Sequence, residues 1–341
     1  MIQQALNTLY VQTEGVVLRL DHDNVVAMAD KPLLRVPLHH LHSIVAIGRV
    51  SLTSPLLARC AQDGRSVVML NTRGKFLYRI VGPTTGNVLL RIAQQRLLQQ
   101  PENAIPIVQA VIAGKLHNCR QVLLRSARES SDDVKRDVLK RVAEEMMRDM
   151  RRLSKITDLD VLRGVEGINA RRYFSQMSNM LREGGGWSFS GRNRRPPRDS
   201  VNALLSFLYA LLGNDLVAAA ESVGLDPQVG FLHSLRPGRP ALALDMMEEM
   251  RPILADRVAL TLINRQQLGL RDFDELPGGA VRLNELGRRT VLQAYQERKQ
   301  DTCRHPLLKK TVTFEMAFHI QTRLMARAIR KDVPYFPFLY K

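Results

Sequence analysis

Apolar positions along the chain change their period near residue 87. Before it they fall in short β-rich runs broken by turn residues. Val16 to Leu20 and Asn24 to Met28 flank Asp21-His22-Asp23 and predict a hairpin; Ile44 to Ile47, Val67 to Leu70 and Phe76 to Val81 predict further strands. Ser54 to Gln62 predicts a short helix, with Ser54 as N-cap, Pro55 in the first turn and Gly64 just past the end. The strands are expected to form a mostly antiparallel sheet, and Gly82-Pro83-Thr84-Thr85-Gly86 reads as the linker that ends this half.

Beyond the linker the pattern turns helical. Helices are expected through 87–100, 104–129, 132–152, 157–183, 199–221, 240–265, 284–299 and 306–331, and the Gly-, Arg- and Pro-rich stretch from Glu183 to Pro197 as a loop. The fold class expected is α+β. A small N-terminal β domain (1–82) is joined by a linker (83–86) to a larger all-α domain (87–332), followed by a tail rich in Pro and aromatics (333–341). That tail either packs back on its own domain or docks on a partner.

Composition narrows the function. Hydrophobic residues make up 45% and charged residues 24%, which is ordinary for a globular chain. Fifty Lys and Arg against 33 Asp and Glu leave a net charge of +17 and a pI near 10.3, a surplus that favours polyanions, either nucleic acid or an anionic membrane. The longest apolar run, Ala203 to Leu212, is too short to span a bilayer and contains Ser206, so no membrane partner is expected. Met1 to Tyr10 bears no basic charge ahead of an apolar stretch, so no secretory signal is expected. Cys60, Cys119 and Cys303 are odd in number, far apart and without zinc spacing, which fits a reducing cytoplasm.

Candidate chemistry lies in the helical half. Glu166 is followed by Gly167 and Ala170 on an expected helix, which would let a ligand or another backbone approach its carboxylate; the plainer reading is a solvated Glu and a glycine that eases packing. Arg192, Arg194, Arg195 and Arg198 crowd the loop before a helix that Asp199 or Ser200 could cap. They read either as a soluble basic loop or as phosphate forks. Asp245, Glu248 and Glu249 lie within one helical turn on one side, with Met246, Met247 and Met250 on the other, and the loop after His233 could return the imidazole over that acidic turn. An acidic surface face would look the same. Acid on a phosphate-binding protein, however, makes sense when a cation bridges the two, as in metal-assisted phosphodiester chemistry.

Four runs in order carry a resemblance: Glu166-Gly-x-x-Ala170-Arg-x-Tyr173-Phe174, Arg195-Pro-Pro-x-Asp199-x-Val-Asn202-Ala-Leu-Leu-Ser206, Gly224-Leu-Asp-Pro-x-Val-Gly230-Phe-Leu-His233, and Leu242-Ala-Leu-Asp245-x-Met-Glu248-Glu249-x-Arg251-Pro252. Together they resemble the CRISPR-associated integrase family, the larger subunit of the adaptation complex. Ile47-Gly48, Leu52-Thr53 and the segment Leu56 to Cys60 resemble its β domain. The resemblance implies an N-terminal β-sandwich, a helical catalytic domain and a homodimer. It also implies an endonuclease/integrase that inserts captured double-stranded DNA into a repeat array by attack of a 3′-hydroxyl on a repeat-border phosphodiester. By the same resemblance Glu166, His233 and Glu248 would bind one Mg²⁺ or Mn²⁺, with Asp245 as an acidic helper. The family often has Phe at Met250 and sometimes Asp at Glu248, and Glu keeps a hard oxygen ligand there. An imidazole ligates only when neutral, so activity should fail in acid.

Helix angles alone let either Glu248 or Glu249 share a site with Asp245. The family pattern selects Glu248, which leaves Glu249 to pair with a nearby Arg, and Pro252 could kink the helix there. DNA contacts are expected from Arg192, Arg194, Arg195, Arg198, Arg171, Tyr173 and Asn202, and from the helix 134–155, where eight basic residues outnumber four acidic ones. The implied partners are DNA, a second copy of the chain and a small ferredoxin-fold subunit, with an end-trimming nuclease as an optional further member. A non-catalytic DNA scaffold and a metal phosphodiesterase acting on RNA are the rival readings.

Overall fold

The computed structural model describes residues 2–5, 8–41, 43–72, 76–80, 82, 88–182, 184–193 and 195–341. It divides into two units, Met1–Thr85 with Leu283–Glu297 and Gly86–Arg282 with Arg298–Lys341. The first begins with β1 (Ile2–Ala5), β2 (Thr8–Val11), β3 (Val17–Asp21), β4 (Asn24–Met28), β5 (Pro32–Pro37), β6 (Ser43–Ile47), β7 (Ser51–Leu52), α1 (Ser54–Gln62), β8 (Ser66–Leu70) and β9 (Phe76–Ile80). A five-stranded sheet runs β1-β2-β6-β8-β9 and a four-stranded sheet β5-β4-β3-β7. Leu9, Ile44 and Val67 from one sheet share a single core with Leu18, Val25 and Val36 from the other and with Leu56 and Cys60 of α1. Two sheets closed over one core make a β-sandwich.

The expected hairpin forms, with β3 and β4 paired from Val17↔Met28 to Asp21↔Asn24 and His22 at a left-handed φ of 54°. Antiparallel pairing dominates as expected, in β1–β2, β3–β4, β4–β5 and β8–β9, while β2–β6, β6–β8 and β3–β7 are parallel. A parallel neighbour requires a crossover. The segment carrying α1 connects β6 to β8, and the meander of β3, β4 and β5 connects β2 to β6. The N-cap of α1 is Thr53, with extended backbone, and Ser54 is already helical.

The second unit holds α2 (Val88–Gln99), α3 (Pro101–Glu129), α4 (Asp133–Arg152), α5 (Leu159–Ser175), α6 (Met177–Met180), α7 (Ser200–Val223), α8 (Ala241–Met250), α9 (Arg257–Asn264) and the hairpin β10 (Phe273–Leu276) and β11 (Ala280–Leu283). After α10 (Glu285–Gln300) come β12 (Thr302–Arg304), β13 (Thr311–Thr313) and α11 (Phe314–Ile329). Through Glu297, α10 belongs to the first unit, where it buries Val291, Leu292 and Tyr295 and bonds Gln296 to the Tyr10 hydroxyl. The linker residues 83–86 lie outside the described residues.

Three expected helices are cut. The 157–183 segment stops at Ser175 and restarts as the single turn of α6. The 306–331 segment opens instead with a strand, because Thr311-Val312-Thr313 is β-branched throughout. Thr313 then caps α11 by accepting from the Met316 N–H at 3.1 Å. The 240–265 segment breaks at Pro252, which cannot donate; a π-helical turn over Pro252–Asp256 follows, with the Asp256 N–H on the Arg251 carbonyl at 2.9 Å. By length and composition α7 could cross a membrane, yet it serves as a core helix, with Leu204, Leu205, Leu208, Leu212 and Leu216 fully buried.

Asp199, rather than Ser200, caps α7. Its carboxylate accepts the Asn202 N–H at 2.7 Å and the Asn202 and Asn193 side-chain amides at 2.6 and 3.1 Å. Asp199→Ala should therefore cost about 1–2 kcal/mol in denaturant unfolding, whereas Ser200→Ala should stay within about 0.5 kcal/mol. Equal losses would contradict the assignment.

Candidate active site

Every acid on α8 is buried: Asp245 is 2% exposed, Glu248 1% and Glu249 0%. The helix therefore has no acidic surface face, and each carboxylate must find compensation inside the protein. The three find it in different places. Asp245 holds the loop that carries His233. Its Oδ2 accepts the N–H groups of Phe231 (2.6 Å) and Leu232 (3.0 Å), and its Oδ1 accepts the His233 N–H (2.9 Å) and lies 2.7 Å from the ring Nδ1. Gly230 is required at this turn, since a Cβ there would come within 2.5 Å of the Ala241 carbonyl carbon and 2.7 Å of Asp245 Oδ2. In the neutral ring, a proton on Nδ1 in this contact would leave Nε2 with its lone pair. That Nε2 lies 3.6 Å from Glu248 Oε1. Arg163 of α5 donates to the Leu232 carbonyl at 2.7 Å, tying the same loop to the helix that bears Glu166.

Glu248 meets Glu166 across a cation that the sequence patterns do not single out. The Lys115 ammonium, on α3, ion-pairs with Glu166 and lies 2.5 Å from Glu248 Oε2, while the Arg251 guanidinium pairs with Glu248 Oε1. Burial acts to raise the Glu248 carboxyl, but Arg251, Lys115 and His233 outweigh it and hold the group at about 2. Burial likewise works against the Lys115 charge, and Glu248 and Glu166 overcome it, so its pKa lies above the ordinary value. A sequence signal for Lys115 exists. Val108, Val111, Ile112, Lys115, Asn118, Cys119 and Val122 recur at helical spacing on the buried stripe of α3, and a lysine on such a stripe needs an anion.

Glu249 points the other way. The expected Arg partner is absent among the described residues, because Arg251 is engaged with Glu248. Glu249 instead accepts from the Tyr335 hydroxyl (2.7 Å), Gln321 (2.9 Å) and the Phe338 N–H (2.8 Å). Burial raises its carboxyl to about 7 in spite of these donors. The C-terminal tail thus packs on its own unit. The Asn118 amide donates to the carbonyls of Glu249 and Phe338, both at 2.7 Å, and Gly114 leaves room for Pro337, whose Cβ would stand 2.8 Å from a Cβ at that position. Glu248 therefore faces the Glu166–Lys115 cluster, and its chain neighbour anchors the tail.

The π turn beyond α8 sets Arg251 over the Tyr209 ring, 5.1 Å from its centroid, and turns Asp256 toward the Tyr209 hydroxyl at 2.6 Å. Burial raises the Asp256 carboxyl to about 6. Two residues expected to touch DNA lie in the interior: Tyr173 is 1% and Asn202 0% exposed. Asn202 organises the preceding loop, accepting from Arg192 at 2.6 Å and from the Asn193 N–H at 3.1 Å while donating to the Gly191 carbonyl at 2.8 Å. Arg192 spends its guanidinium on Asn202, Asn193 and Ser206 and also lies over the Tyr209 ring, 5.2 Å from its centroid. Arg171, Arg195 and Arg198 are exposed, and Arg194 lies outside the described residues. A cleft of about 530 Å³ opens beside Glu166, lined by Gly167, Ala170, Arg171, Phe174 and Phe189. A Cβ at Gly167 would meet open space, so no packed neighbour requires a glycine there.

The donor set fits a hard divalent cation. Two carboxylates already enclose a positive charge, and an imidazole oriented by a carboxylate offers Nε2 beside one of them. As they stand, no three His, Cys, Asp or Glu side chains among the described residues converge on one point, and the Lys115 ammonium bridges Glu166 and Glu248.

The shift at Glu249 has a measurable sign. The folded state favours the protonated carboxyl, so this contribution to stability is complete below the ordinary carboxyl range near 4.3 and is lost as pH rises through about 7. Relative to the native chain, Glu249→Gln should gain stability on going from about pH 5 to about pH 8, by at most about 3 kcal/mol. A Tm difference between the two proteins that stays flat across that range would contradict the raised pKa.

The model of the family described as CRISPR associated protein Cas1 matches residues 9–297. A CRISPR-associated endonuclease Cas1 from Moorella thermoacetica is 49% identical over 339 residues, covering 98% of this chain and 99% of its own length. Among solved structures, a casposase bound to an integration product is similar with a TM-score of 0.84 at 21% identity, over 98% of this chain and 95% of that one. A chain of a Cas6-RT-Cas1–Cas2 complex is similar with a TM-score of 0.79 at 24% identity, over 100% of this chain and 37% of that one. At these identities the structural likeness is one of fold. The family match and the near-full-length relative agree, and the chain belongs to the CRISPR-associated Cas1 family.

Proposed function

We propose that the chain is a divalent-metal-dependent DNA endonuclease/integrase that inserts captured DNA into a CRISPR repeat array by transesterification. The observation that carries this reading is the pair Glu166 and Glu248 gathered around a single buried cation, with His233 Nε2 3.6 Å from Glu248. The Moorella thermoacetica relative, named an endonuclease, and the fold neighbour, a casposase holding an integration product, support the same chemistry.

In the reaction the 3′-hydroxyl oxygen of the incoming duplex forms a bond to phosphorus as the repeat-border P–O bond breaks, so the number of phosphodiesters is conserved. The barrier is the approach of an oxygen nucleophile to an anionic phosphate. Mg²⁺ or Mn²⁺ held by Glu166, Glu248 and His233 would neutralise charge developing on the phosphoryl oxygens and polarise the phosphorus. Asp245 fixes the tautomer and direction of His233 and is in this reading a positioning residue. Arg251 offsets one Glu248 oxygen. Lys115 pairs with both acids, and a divalent ion held by Glu166 and Glu248 would take over that compensating charge. Arg171, beside the Glu166 cleft, supplies a cation to the DNA backbone, and Phe174 and Phe189 offer faces to a displaced base.

The partners proposed are double-stranded DNA, a second copy of the chain, a small subunit of the Cas2 kind found in the Cas6-RT-Cas1–Cas2 complex, and an optional end-trimming nuclease. A non-catalytic scaffold would leave the pairing of Glu166 with Glu248 across Lys115 without a purpose, and an RNA phosphodiesterase would cleave RNA in preference to joining DNA.

Glu166→Ala and His233→Ala should each reduce strand transfer on a branched DNA substrate by at least about a hundred-fold, a loss of the size seen when single charge-stabilising groups are removed, with DNA affinity kept. Parallel loss of binding and joining would point to misfolding instead. Glu248→Ala should be equally inactive across a Mn²⁺ titration, whereas Glu249→Ala should keep metal-dependent joining and lose thermal stability. An active Glu248→Ala beside an inactive, well-folded Glu249→Ala would overturn the assignment.

A further inference from the structure

A second cluster of basic side chains in the helical unit lies apart from the residues around Glu166 and Glu248. A cleft of about 870 Å³ is bounded by the C-terminal turns of α3, the start of α4, the stretch from Asn179 to Arg182, and α9. Five basic side chains line it (Arg125, Lys135, Arg182, Arg257 and Arg265), against two acids, Glu129 and Asp132. Asp132 is committed to capping α4, accepting the Lys135 N–H at 3.0 Å. Glu129 is shared, bonded by Arg125 at 2.7 Å and only 4.0 Å from Arg257. Arg257 is the telling residue. Its side chain is 13% exposed, and its ion pair among the described residues is that 4.0 Å contact with Glu129. Burial pushes its pKa down, Arg125 and Arg298 push the same way, and Glu129 opposes them. A guanidinium buried among other guanidiniums is costly unless an anion shares the space.

The rest of the lining says which anion. Ser130, Ser131, Asn179, Thr261 and Asn264 add neutral hydrogen-bonding groups, and none of the residues that line the cleft is aromatic. Such a surface suits phosphate and sugar oxygens and offers bases nothing to stack on. Asn264 holds the wall in place, accepting the Arg182 N–H and donating to the Met180 carbonyl, each at 2.9 Å. Lys115 and Arg125 are ten residues apart on α3, about 15 Å along its axis, which is on the order of four to five nucleotide steps at ~3.4 Å each.

We propose that this cleft is a second anion site, which grips the phosphodiester backbone of DNA flanking the reacting end without reading its sequence. The proposal rests on the DNA-joining reading given above. It is tested by fluorescence anisotropy with two duplex probes, one ending within the reach of the acid pair and one extended by about ten base pairs, across a salt series. Arg125→Gln/Arg265→Gln changes two exposed side chains and should fold normally; Arg257→Gln is a second variant, checked by its melt. On the long probe the double variant should bind about ten-fold more weakly at low salt, with the salt slope reduced by roughly 1–2, since each lost phosphate contact in a duplex removes about 0.9. On the short probe it should match the native chain. Equal weakening on both probes, or none on either, would overturn the proposal. Unchanged DNA binding with weakened binding of a poly-glutamate peptide would overturn it in favour of an acidic protein partner. A native chain that binds neither duplex would defeat the joining reading itself, and the cleft proposal with it.

Discussion

A carboxylate taken almost wholly out of water sets the terms for the helical unit. Glu248 can remain ionised in the interior only because Lys115, Arg251 and the His233 edge surround it, and each of those groups must be delivered by a different part of the chain. Lys115 requires α3 to run through the core with a lysine on its buried stripe. Arg251 follows Glu248 by three residues at the end of α8, which returns its guanidinium to that carboxylate. His233 requires a loop whose backbone amides all turn inward onto Asp245. The fold is arranged to bring positive charge to one acid, and the second acid, Glu166, joins through the same ammonium. Two acids converging on one cation inside a strongly basic protein is the arrangement that phosphodiester chemistry exploits.

The three acids of α8 show how neighbours, rather than residue type, decide role. Asp245 receives amide N–H groups and becomes a loop anchor. Glu248 receives full positive charges and stays ionised. Glu249 receives only neutral donors, so burial prevails and its proton is held to about 7. Its donors come from α11 and the C-terminal tail, and the tail in turn reaches Asn118, three residues from Lys115 on α3. The last residues of the chain are thus built into the same helical layer that supports the acid pair.

Much of this was legible in the sequence, within limits that periodicity imposes. The split into a β domain and a helical unit, the hairpin at His22 and the break at Pro252 follow from spacing and turn chemistry, and the sandwich follows from the family resemblance. The parallel pairings do not, because alternation describes one strand's faces and is silent about its neighbour. The allegiance of α10 was hidden for the same reason, since an apolar helix face does not name what it covers. At the site, Glu166, His233 and Glu248 stood out through four ordered motifs, whereas Lys115 belongs to none of them and is marked only by its place on the buried α3 stripe. The expected Arg partner of Glu249 failed because its true partner, Tyr335, lies 86 residues downstream. Tyr173 and Asn202 belong to the same motifs as the ligand candidates, yet their place is structural. Membership of a motif did not distinguish the residue that meets a substrate from the one that holds a loop.

The central claim is that Glu166, Glu248 and His233 form a divalent cation site whose place Lys115 now occupies. Anomalous diffraction from crystals of the chain grown with Mn²⁺ addresses it directly. The predicted result is a manganese peak bound by both carboxylates and by His233 Nε2, with the Lys115 ammonium withdrawn from between the acids. Manganese bound elsewhere, with Lys115 still bridging Glu166 and Glu248, would contradict it.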